Sequence, residues 1–375
     1  MEKNNKPLNV PHLRFPEFSG EWEKYSLGEI GHTSIGLTYS PADVVKEDGT
    51  IVLRSSNIQN GEIDYKDLVR VNKKIKDSLF TKKDDILICA RNGSSRLIGK
   101  NALISDVDAG HSYGAFMMVY RSEDNRFIRQ LLCTKRYFAQ VGENLGARIN
   151  QITTSDMNSF EFFFPQSKEE RNKIALFLRI IDERISTQKK IIEKYESLIR
   201  GLCEKLTRQG TLNKTITECL ECHSSTLQES AILDAGSYPV YGAIGICGYT
   251  DTPDVSGDGV LIIKDGASVG VTYFADGRYS FIGTLNRLTA KEDINLRYIY
   301  YCLKVLNFTP YKTGLAIPHI YFKDYGKHKI WCPSLEQQSS IADALTAIDN
   351  KILVEKSLLE QLNFQKRYML NRLFI

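Results

Sequence analysis

Three short turns combine glycine or serine with basic and amide side chains. They are Arg54-Ser55-Ser56-Asn57, Arg91-Asn92-Gly93-Ser94-Ser95-Arg96 and Lys264-Asp265-Gly266-Ala267-Ser268. Arg can pair with guanine, and Asn or Gln with adenine, through two hydrogen bonds, whereas Lys and Ser commonly hold phosphate. We interpret these turns as candidate DNA contacts, with an ordinary surface turn as the alternative for each residue.

Two further loops, 146–151 and 312–319, each precede the last strand and helix of a globular region. Tyr241 lies in an aromatic and glycine-rich run and is either a DNA contact or a core aromatic residue. The complete candidate DNA-binding set is Arg54, Ser56, Asn57, Arg91, Asn92, Ser94, Ser95, Arg96, Arg148, Asn150, Gln151, Tyr241, Lys264, Ser268, Lys312, Thr313 and His319.

Two motifs resemble enzyme sites without meeting their requirements. Five residues rather than four separate Gly93 from Gly99-Lys100, and Asn101 stands where a phosphate-binding loop needs Ser or Thr. Cys219, Cys222 and His223 spell C-x-x-C-H, but no second C-x-x-C pair completes a zinc site. We predict no catalytic residue, cofactor or metal, and keep an enzyme using Cys219 and Cys222 as an alternative.

The elements that must position these loops occur twice. Residues 169–206 and 336–373 align without gaps at a shift of 167 residues. Apolar side chains recur at steps of three and four, the pattern of a coiled-coil helix, at Ile174, Leu178, Ile181, Ile185, Ile192, Tyr195, Ile199, Leu202 and Leu206, and at Ile341, Leu345, Ile348, Ile352, Leu359, Leu362, Met369 and Leu373. The first stripe would extend about 48 Å as a helix, which exceeds the diameter of a small domain. Part of each helix must therefore pack against another long helix.

Gln188 and Glu355 interrupt the two apolar stripes at equivalent places. A buried polar residue at such a position can fix the register of a coiled coil. The alternative is that both side chains face solvent. Ser167 and Ser334 precede the two helices and are candidate N-cap residues.

The regions before the helices combine short apolar runs with glycine and asparagine turns, typical of mixed strands and helices. In each region a basic residue and a turn follow one strand, which aligns Arg91-Asn92-Gly93 with Lys264-Asp265-Gly266. The predicted class is mixed α/β, with two similar domains separated by two long antiparallel helices and a pseudo-two-fold repeat. The predicted boundaries are an N-terminal arm at 1–20, domains at 21–165 and 209–333, and helices at 166–208 and 334–375.

The composition of the 375 residues excludes several classes of protein. Hydrophobic residues make up 42% and charged residues 25%, which is ordinary for a globular protein, and no stretch is long and apolar enough to cross a membrane. Eight scattered cysteines fit reduced thiols better than a disulfide framework. We expect a cytoplasmic protein. Its net charge of +4 weakly favours a polyanionic partner.

A pseudo-symmetric chain offers two similar surfaces to a pseudo-symmetric ligand. Along B-form DNA, a spacer of about 48 Å corresponds to roughly 14 base pairs. The repeat therefore predicts two separated half-sites on one duplex.

Several runs in both halves resemble one known family. They are Val10 to Phe18, Gly20-Glu21-Trp22, Leu27 to Ile30, Ile51 to Ile58 with Gly61, Tyr113 to Met117, Tyr238 to Ala243, Gly245-Ile246, Gly248-Tyr249, Asp265-Gly266-Ala267, and Pro333 with Glu336-Gln337, Ile341-Ala342, Leu345, Ile348-Asp349 and Ile352. Through these runs, almost the whole chain resembles the specificity subunit of type I restriction–modification systems, in which two target recognition domains are separated by two spacer helices.

The resemblance implies a subunit without a catalytic site. It would bind double-stranded DNA with a bipartite target and dock two methyltransferase (HsdM) and two restriction/translocase (HsdR) subunits. Adenine N6 would be methylated with S-adenosylmethionine held by the partner, which fits the absence of any Asn/Asp-Pro-Pro-aromatic tetrapeptide here. The resemblance also implies that Phe177, Ile180 and Ile191 contact partner helices. A coiled-coil adaptor that joins proteins without touching DNA remains the alternative.

Overall fold

The computed structural model describes residues 9–145, 150–314 and 316–375. The chain forms two compact units. Unit 1 comprises Met1–Thr187 and Leu359–Ile375, and unit 2 comprises Gln188–Leu358. Each unit mixes strands with helices, so the predicted mixed α/β class with two similar domains is confirmed.

The elements that lie in unit 1, up to and including the first long helix, are β1 (Glu23–Ser26), α1 (Leu27–Ile30), β2 (His32–Ile35), β3 (Val44–Val45), β4 (Thr50–Leu53), β5 (Ile58–Gln59), β6 (Glu62–Ile63), β7 (Val69–Val71), β8 (Ile86–Cys89), β9 (Asn101–Leu103), β10 (Ser112–Tyr113), β11 (Met117–Arg121), α2 (Asn125–Leu131), α3 (Lys135–Leu145), α4 (Thr154–Ser159), β12 (Glu161–Phe164) and α5 (Lys168–Leu206). The second half of α5 belongs to unit 2.

The elements that follow are β13 (Lys214–Thr215), α6 (Ile216–Cys219), β14 (Leu220–Ser224), β15 (Tyr238–Gly242), β16 (Gly245–Thr250), β17 (Val255–Ser256), β18 (Gly259–Ile263), β19 (Thr272–Ala275), β20 (Arg278–Phe281), β21 (Leu285–Ala290), α7 (Leu296–Lys304), α8 (Phe322–Tyr325), β22 (Lys329–Ile330) and α9 (Leu335–Leu373). The last part of α9 returns to unit 1.

The sheets of the two units follow one plan. An antiparallel sheet has the order β2-β11-β8-β9 in unit 1 and β14-β21-β18-β19 in unit 2. A second sheet contains one parallel pair, β4 with β10 in unit 1 and β15 with β20 in unit 2. The continuous apolar runs of β8 and β18 are completely buried, as expected for strands covered on both faces.

In each unit a short helix, α1 or α6, directly follows a short strand and is fixed by the same kind of cap. The Ser26 backbone N–H donates to the Glu29 carboxylate at 2.6 Å, and the Thr215 N–H donates to the Glu218 carboxylate at 2.6 Å. Both pairs are capping boxes, which satisfy backbone donors at a helix start. This cap reveals Ile216-Thr217-Glu218-Cys219 as the second copy of Leu27-Gly28-Glu29-Ile30.

The two 39-residue helices α5 and α9 contribute to the core of both units. In unit 1, Leu178 of α5 and Leu370 of α9 lie in the main hydrophobic cluster. In unit 2, Gln188 of α5 bonds Glu355 of α9 and Ile199 shares a cluster with Leu345. Residue numbers rise along one helix as they fall along the other, so the helices run antiparallel in this unit.

The predicted seam positions Gln188 and Glu355 are buried rather than facing solvent. The Gln188 amide donates to the Glu355 backbone oxygen at 3.0 Å and to its carboxylate at 2.5 Å. This pairing supports the register interpretation, because only one alignment of the helices satisfies both groups.

Residues 9–20 lie along the long helices within unit 1. The Leu13 N–H donates to the Arg372 carbonyl oxygen at 2.9 Å, and the Arg14 guanidinium binds the buried Glu170 carboxylate at 2.7 and 2.8 Å. Among the described residues, no helix is long and apolar enough to span a bilayer.

Candidate nucleic-acid interface

In both units the same backbone frame supports a group of loops. The Ile152 N–H donates to the Ala90 oxygen at 2.9 Å in unit 1, and the Ile320 N–H donates to the Lys264 oxygen at 2.9 Å in unit 2. Both isoleucines are buried, so each core anchors a loop beside the end of its central strand, β8 or β18.

This frame corrects the sequence alignment of the loops by one residue. The N–H groups of Gly99 and Gly270 donate to the carbonyl oxygens of Cys89 and Ile263, which makes these last two residues equivalent. Counting onward, Arg91 corresponds to Asp265 rather than to Lys264. The bridges between Arg91 and Gln151 and between Asp265 and His319 show the same correspondence.

The unit 1 cluster consists of Arg54, Ser55, Ser56, Arg91, Asn92, Phe116, Asn150 and Gln151, and three loops meet there. The Asn92 amide donates to Ser55 Oγ at 2.9 Å, and the Asn150 amide donates to the Gly93 oxygen at 2.9 Å. These bonds join the predicted turns at 54–57 and 91–96 to the loop at 150–151. The three segments predicted from the sequence are therefore close together in unit 1.

An exposed aromatic side chain stands at the centre of the unit 1 cluster. Phe116 is 57% exposed, and the Arg91 guanidinium carbon lies 5.0 Å from the ring centroid, within the range of a cation–π contact. A cleft of about 760 Å³ opens beside it, lined by Leu37, Tyr39 and Val44 as well as Arg54 and Phe116. Phe116 is not among the contacts predicted from the sequence; its signal is its position directly before β11.

The other unit 1 candidates differ in how freely they face outward. Arg91, Ser95 and Arg96 are exposed, whereas Ser94 is half-buried. Arg54 pairs with Asp67 at 2.7 Å, so its charge already has a counter-ion. Arg148 lies outside the described residues.

Asn57 holds the turn together from inside. Its side chain is fully buried, accepts from the Arg54 N–H at 2.9 Å, and donates to the carbonyl oxygens of Asp64 and Asp67 at 3.0 and 2.8 Å. Both amide hydrogens are used by the protein itself, so we remove Asn57 from the proposed contacts and assign it a structural role.

The unit 2 cluster consists of Lys264, Asp265, Ser268, Lys312, Thr313 and His319. The Asp265 carboxylate accepts from His319 Nδ1 and from Lys264 Nζ, both at 2.7 Å. Burial by itself would raise the pKa of Asp265, but these two hydrogen bonds outweigh it and the pKa lies below its ordinary value. The carboxylate is therefore ionised at neutral pH.

Backbone hydrogen bonds fix the segment of the unit 2 cluster that contains Lys312, Thr313 and His319. Thr313 and His319 exchange N–H···O bonds of 2.9 and 2.8 Å, and the Gly266 N–H donates to the Pro318 oxygen at 2.9 Å. Ser268, Lys312 and Thr313 are exposed around this frame. Backbone hydrogen bonds thus join the segments 264–268 and 312–319, which contain five of the six predicted residues of the second half, whereas Tyr241 lies on β15.

Tyr241 occupies a framework position. Its strand pairing with Phe281 matches the pairing of Leu53 with Tyr113 in unit 1, and Leu53 is completely buried. The half-buried Tyr241 ring packs edge-on against Tyr279 with centroids 5.6 Å apart, and burial raises the pKa of its hydroxyl. The core alternative fits these contacts better than a DNA contact.

The three helix residues predicted to meet partners have different surroundings. Phe177 is half-buried, with its ring centroid 6.0 Å from that of Phe15. Ile180 is 46% exposed, whereas Ile191 is half-buried. On α9, Phe364 in unit 1 and Leu353 in unit 2 are each 64% exposed, and neither is among the partner contacts predicted from the sequence.

The motif that resembles an enzyme site lacks reactive thiols. The contact with Cys332, together with burial, raises the pKa of Cys219, and burial raises the pKa of Cys222 to about 11. Both therefore stay protonated at neutral pH, and a protonated thiol is a poor nucleophile. His223 bonds Thr289 at 2.9 Å, and the described residues contain no group of three or more metal-ligating side chains.

Comparison with known proteins connects both units to one family. The family described as type I restriction modification DNA specificity domain matches residues 19–197 and again residues 213–363. These two segments make up most of the chain and contain both loop clusters.

Two curated relatives show the same similarity. The specificity subunit of the type I restriction enzyme EcoKI of Escherichia coli (strain K12) is 27% identical over 197 residues, which are 49% of this chain and 40% of that protein. The StySPI specificity subunit of Salmonella potsdam is 25% identical over 197 residues, 50% of this chain and 42% of that protein. These matches span about two-fifths of the length of those relatives.

Solved structures share the fold over nearly the whole chain. The crystal structure of a type I restriction–modification S subunit from M. genitalium has a TM-score of 0.67 at 19% identity, covering 98% of this chain and 99% of that one. A structure from work on complex assembly and conformational transition of the type I system has a TM-score of 0.51 at 15% identity, covering 94% and 97%.

Proposed function

The chain belongs to the family of type I restriction–modification DNA specificity domains, and on this premise we propose that it reads a bipartite DNA target. One observation carries the proposal. Two units with one backbone frame each present a loop cluster at the same place, and the side chains of the two clusters differ. Such an arrangement suits two half-sites of different sequence.

The side chains of the clusters fit both tasks of a DNA reader. Arg91, Asn92 and Gln151 can pair with base edges in the major groove. Exposed Arg96 and Lys312 supply charge for phosphates, which position a protein without selecting a sequence. Phe116 adds an apolar surface that can contact a thymine methyl group.

In this proposal the chain performs no catalysis itself. It docks two methyltransferase subunits and two restriction/translocase subunits, and the methyltransferase holds S-adenosylmethionine and modifies adenine N6. The exposed apolar side chains Ile180 of unit 1 and Leu353 of unit 2 support docking of partner helices. The complex would work in the cytoplasm, where the host DNA is.

We further propose the domain boundaries that the sequence predicts. The arm ends near residue 20, the target recognition domains comprise 21–165 and 209–333, and the spacers comprise 166–208 and 334–375. The observed helix bounds, Lys168–Leu206 and Leu335–Leu373, support this division.

Single-molecule mapping of N6-methyladenine across the host genome, with and without this gene, tests the proposal. Deletion should abolish methylation of one motif that has specified bases on both sides of an unspecified gap. Unchanged methylation of every motif in a host that expresses all the subunits would contradict the function.

The coiled-coil adaptor is the second candidate, favoured only by the exposed apolar residues of the long helices. An adaptor predicts no binding of duplex DNA. The proposed reader predicts an affinity that falls steeply as the salt concentration rises, because phosphate contacts release counter-ions.

A further inference from the structure

The Asp265–His319 pair fixes the orientation of one imidazole in the unit 2 cluster. His319 Nδ1 lies 2.7 Å from Asp265 Oδ1, and its backbone is bonded to Thr313 in both directions. The side chain is 37% exposed, and Nε2 has no hydrogen-bond partner in the described part of the chain. One ring nitrogen is therefore held by the protein and the other is available.

The carboxylate also decides where the imidazole proton lies. An ionised carboxylate only accepts hydrogen bonds, so Nδ1 must carry the hydrogen that is donated to Asp265. Lys264 Nζ lies 2.7 Å from the second oxygen and already supplies a counter-ion to this carboxylate. With the hydrogen on Nδ1, the neutral form of the ring presents Nε2 as a lone-pair acceptor.

An acceptor can distinguish the bases in the major groove. Cytosine and adenine present an exocyclic amino group there, whereas guanine presents N7 and O6 and thymine presents O4, which are all acceptors. A fixed acceptor is attracted to the first two bases and repelled by the lone pairs of the other two.

We propose that His319 is a specificity-determining residue, which accepts through Nε2 a hydrogen bond from the amino group of a cytosine or adenine in one half-site. Asp265 is its positioning residue. This inference rests on the proposed DNA-reading function and adds the direction of one hydrogen bond and the class of base that it selects.

The structurally equivalent pair in unit 1 has the opposite polarity. Arg91 and Gln151 form the corresponding backbone bridge. The Arg91 guanidinium has only donors, which suit guanine N7 and O6. The same place in the two frames would therefore select different classes of base.

The test uses the full chain in complex with its methyltransferase subunits and duplexes derived from the motif that this complex methylates. Competition binding is measured for the motif duplex and for duplexes with each specified base pair replaced in turn. At one position, the wild-type complex should prefer cytosine or adenine on the contacted strand. His319→Ala should reduce that preference by about fivefold to tenfold and leave the other half-site unchanged.

Asp265→Asn tests the proton position separately. The Asn amide can donate to Nδ1, which moves the ring hydrogen to Nε2 and converts the acceptor into a donor. The preference at the same position should then move toward guanine or thymine. His223→Gln is the matched control, because His223 is another exposed unit 2 histidine, bonded to Thr289, and should change no preference.

The outcomes separate this inference from the function on which it rests. If wild-type binding is sequence-specific but His319→Ala keeps every preference, the role of His319 is refuted and the function stands. If the wild-type complex prefers no duplex, the function itself fails. If His319→Ala unfolds, as judged by its thermal transition and by loss of base preference at the other half-site, Asp265→Asn provides the test. Unchanged base preferences in Asp265→Asn would then refute the inference.

Discussion

Unit 1 and unit 2 place different chemistry on equivalent backbone positions. At the strand end, Arg91 stands in unit 1 where Asp265 stands in unit 2, and Gln151 stands where His319 does. The exposed Phe116 of unit 1 corresponds to Thr284, because their carbonyl oxygens accept from Ala90 and Lys264 at 2.9 and 3.0 Å.

The difference separates the task of the frame from the task of the loops. Buried strands, capping boxes and backbone bridges recur in both units, since they hold a loop at a set place in each domain. The side chains on that frame vary without disturbing its hydrogen bonds. In the proposed function, one architecture would therefore read two different half-sites.

Removal of an equivalent buried side chain from each unit tests whether the frames are alike. Leu178 and Leu345 occupy the same repeat position and both are completely buried. Leu178→Ala and Leu345→Ala should each lower the free energy of unfolding by about 2–5 kcal/mol, because each leaves a cavity. Urea unfolding measures this. Leu176→Ala, at a site 49% exposed, should change it by less than about 0.5 kcal/mol; a near-neutral Leu178→Ala or Leu345→Ala would break the equivalence.

The polar pair in unit 2 gives the next largest effect. Gln188→Leu should lower the free energy of unfolding by about 1–3 kcal/mol, because it removes a buried partner of Glu355. Adding Glu355→Leu should recover most of this loss, since the apolar pair needs no hydrogen bonds. A double variant that is less stable than Gln188→Leu, measured by urea unfolding, would show that the pair stabilises the helices rather than selecting their register.

Substitution of one glycine beside each cluster compares how strongly the backbone conformation of the two loops restricts a side chain. Gly314 has a φ of +87°, and an added Cβ would collide with the Ile317 carbonyl oxygen. Gly314→Ala should therefore lower the free energy of unfolding by about 1 kcal/mol. Gly93 has open space around its Cα, so Gly93→Ala should stay within about 0.5 kcal/mol of wild type. Thermal unfolding measures both, and equal effects would contradict the difference between the loops.

Salt dependence distinguishes the Arg91 guanidinium of unit 1 from the proposed acceptor His319 of unit 2. Arg91→Ala should reduce the slope of log affinity against log salt concentration by about one if this guanidinium contacts phosphate, and by less if it contacts a base. His319→Ala should leave the slope unchanged because a side chain that accepts a hydrogen bond from a base neutralises no phosphate and releases no counter-ion. Fluorescence titrations of duplex DNA at several salt concentrations measure the slopes. An equal decrease of the slope in both variants would contradict the predicted electrostatic difference between Arg91 and His319.

Sequence reasoning could predict the frame because its signals are local and occur twice. Apolar runs predict β8 and β18, and the heptad stripe predicts the long helices. The Ser167 hydroxyl accepts from the Glu170 N–H at 3.1 Å, as its position before α5 predicts. A capping box that tolerates different residues in between, such as Thr215 with Glu218, was harder to find because only two positions carry it.

The loops could be predicted only as segments. Their arrangement depends on contacts between residues far apart in the chain, such as Asp265 with His319 and Asn92 with Ser55. Matching by residue type aligns the basic residues Arg91 and Lys264, whereas the backbone hydrogen bonds, which the sequence does not reveal, make Arg91 equivalent to Asp265. Asn57 has the composition of a DNA contact, but only the structure shows that its amide is buried.

Methylation motifs of chains altered in one cluster test most directly that each unit reads its own half-site. Host cells lacking the native gene would express wild type, the double variant Arg91→Ala with Gln151→Ala, or His319→Ala, and N6-methyladenine would be mapped across the genome. We expect the unit 1 variant to lose selectivity for bases on one side of the gap only. The unit 2 variant should lose selectivity for bases on the other side only. Loss of base selectivity on the same side in both variants, or on both sides in either variant, would contradict the account.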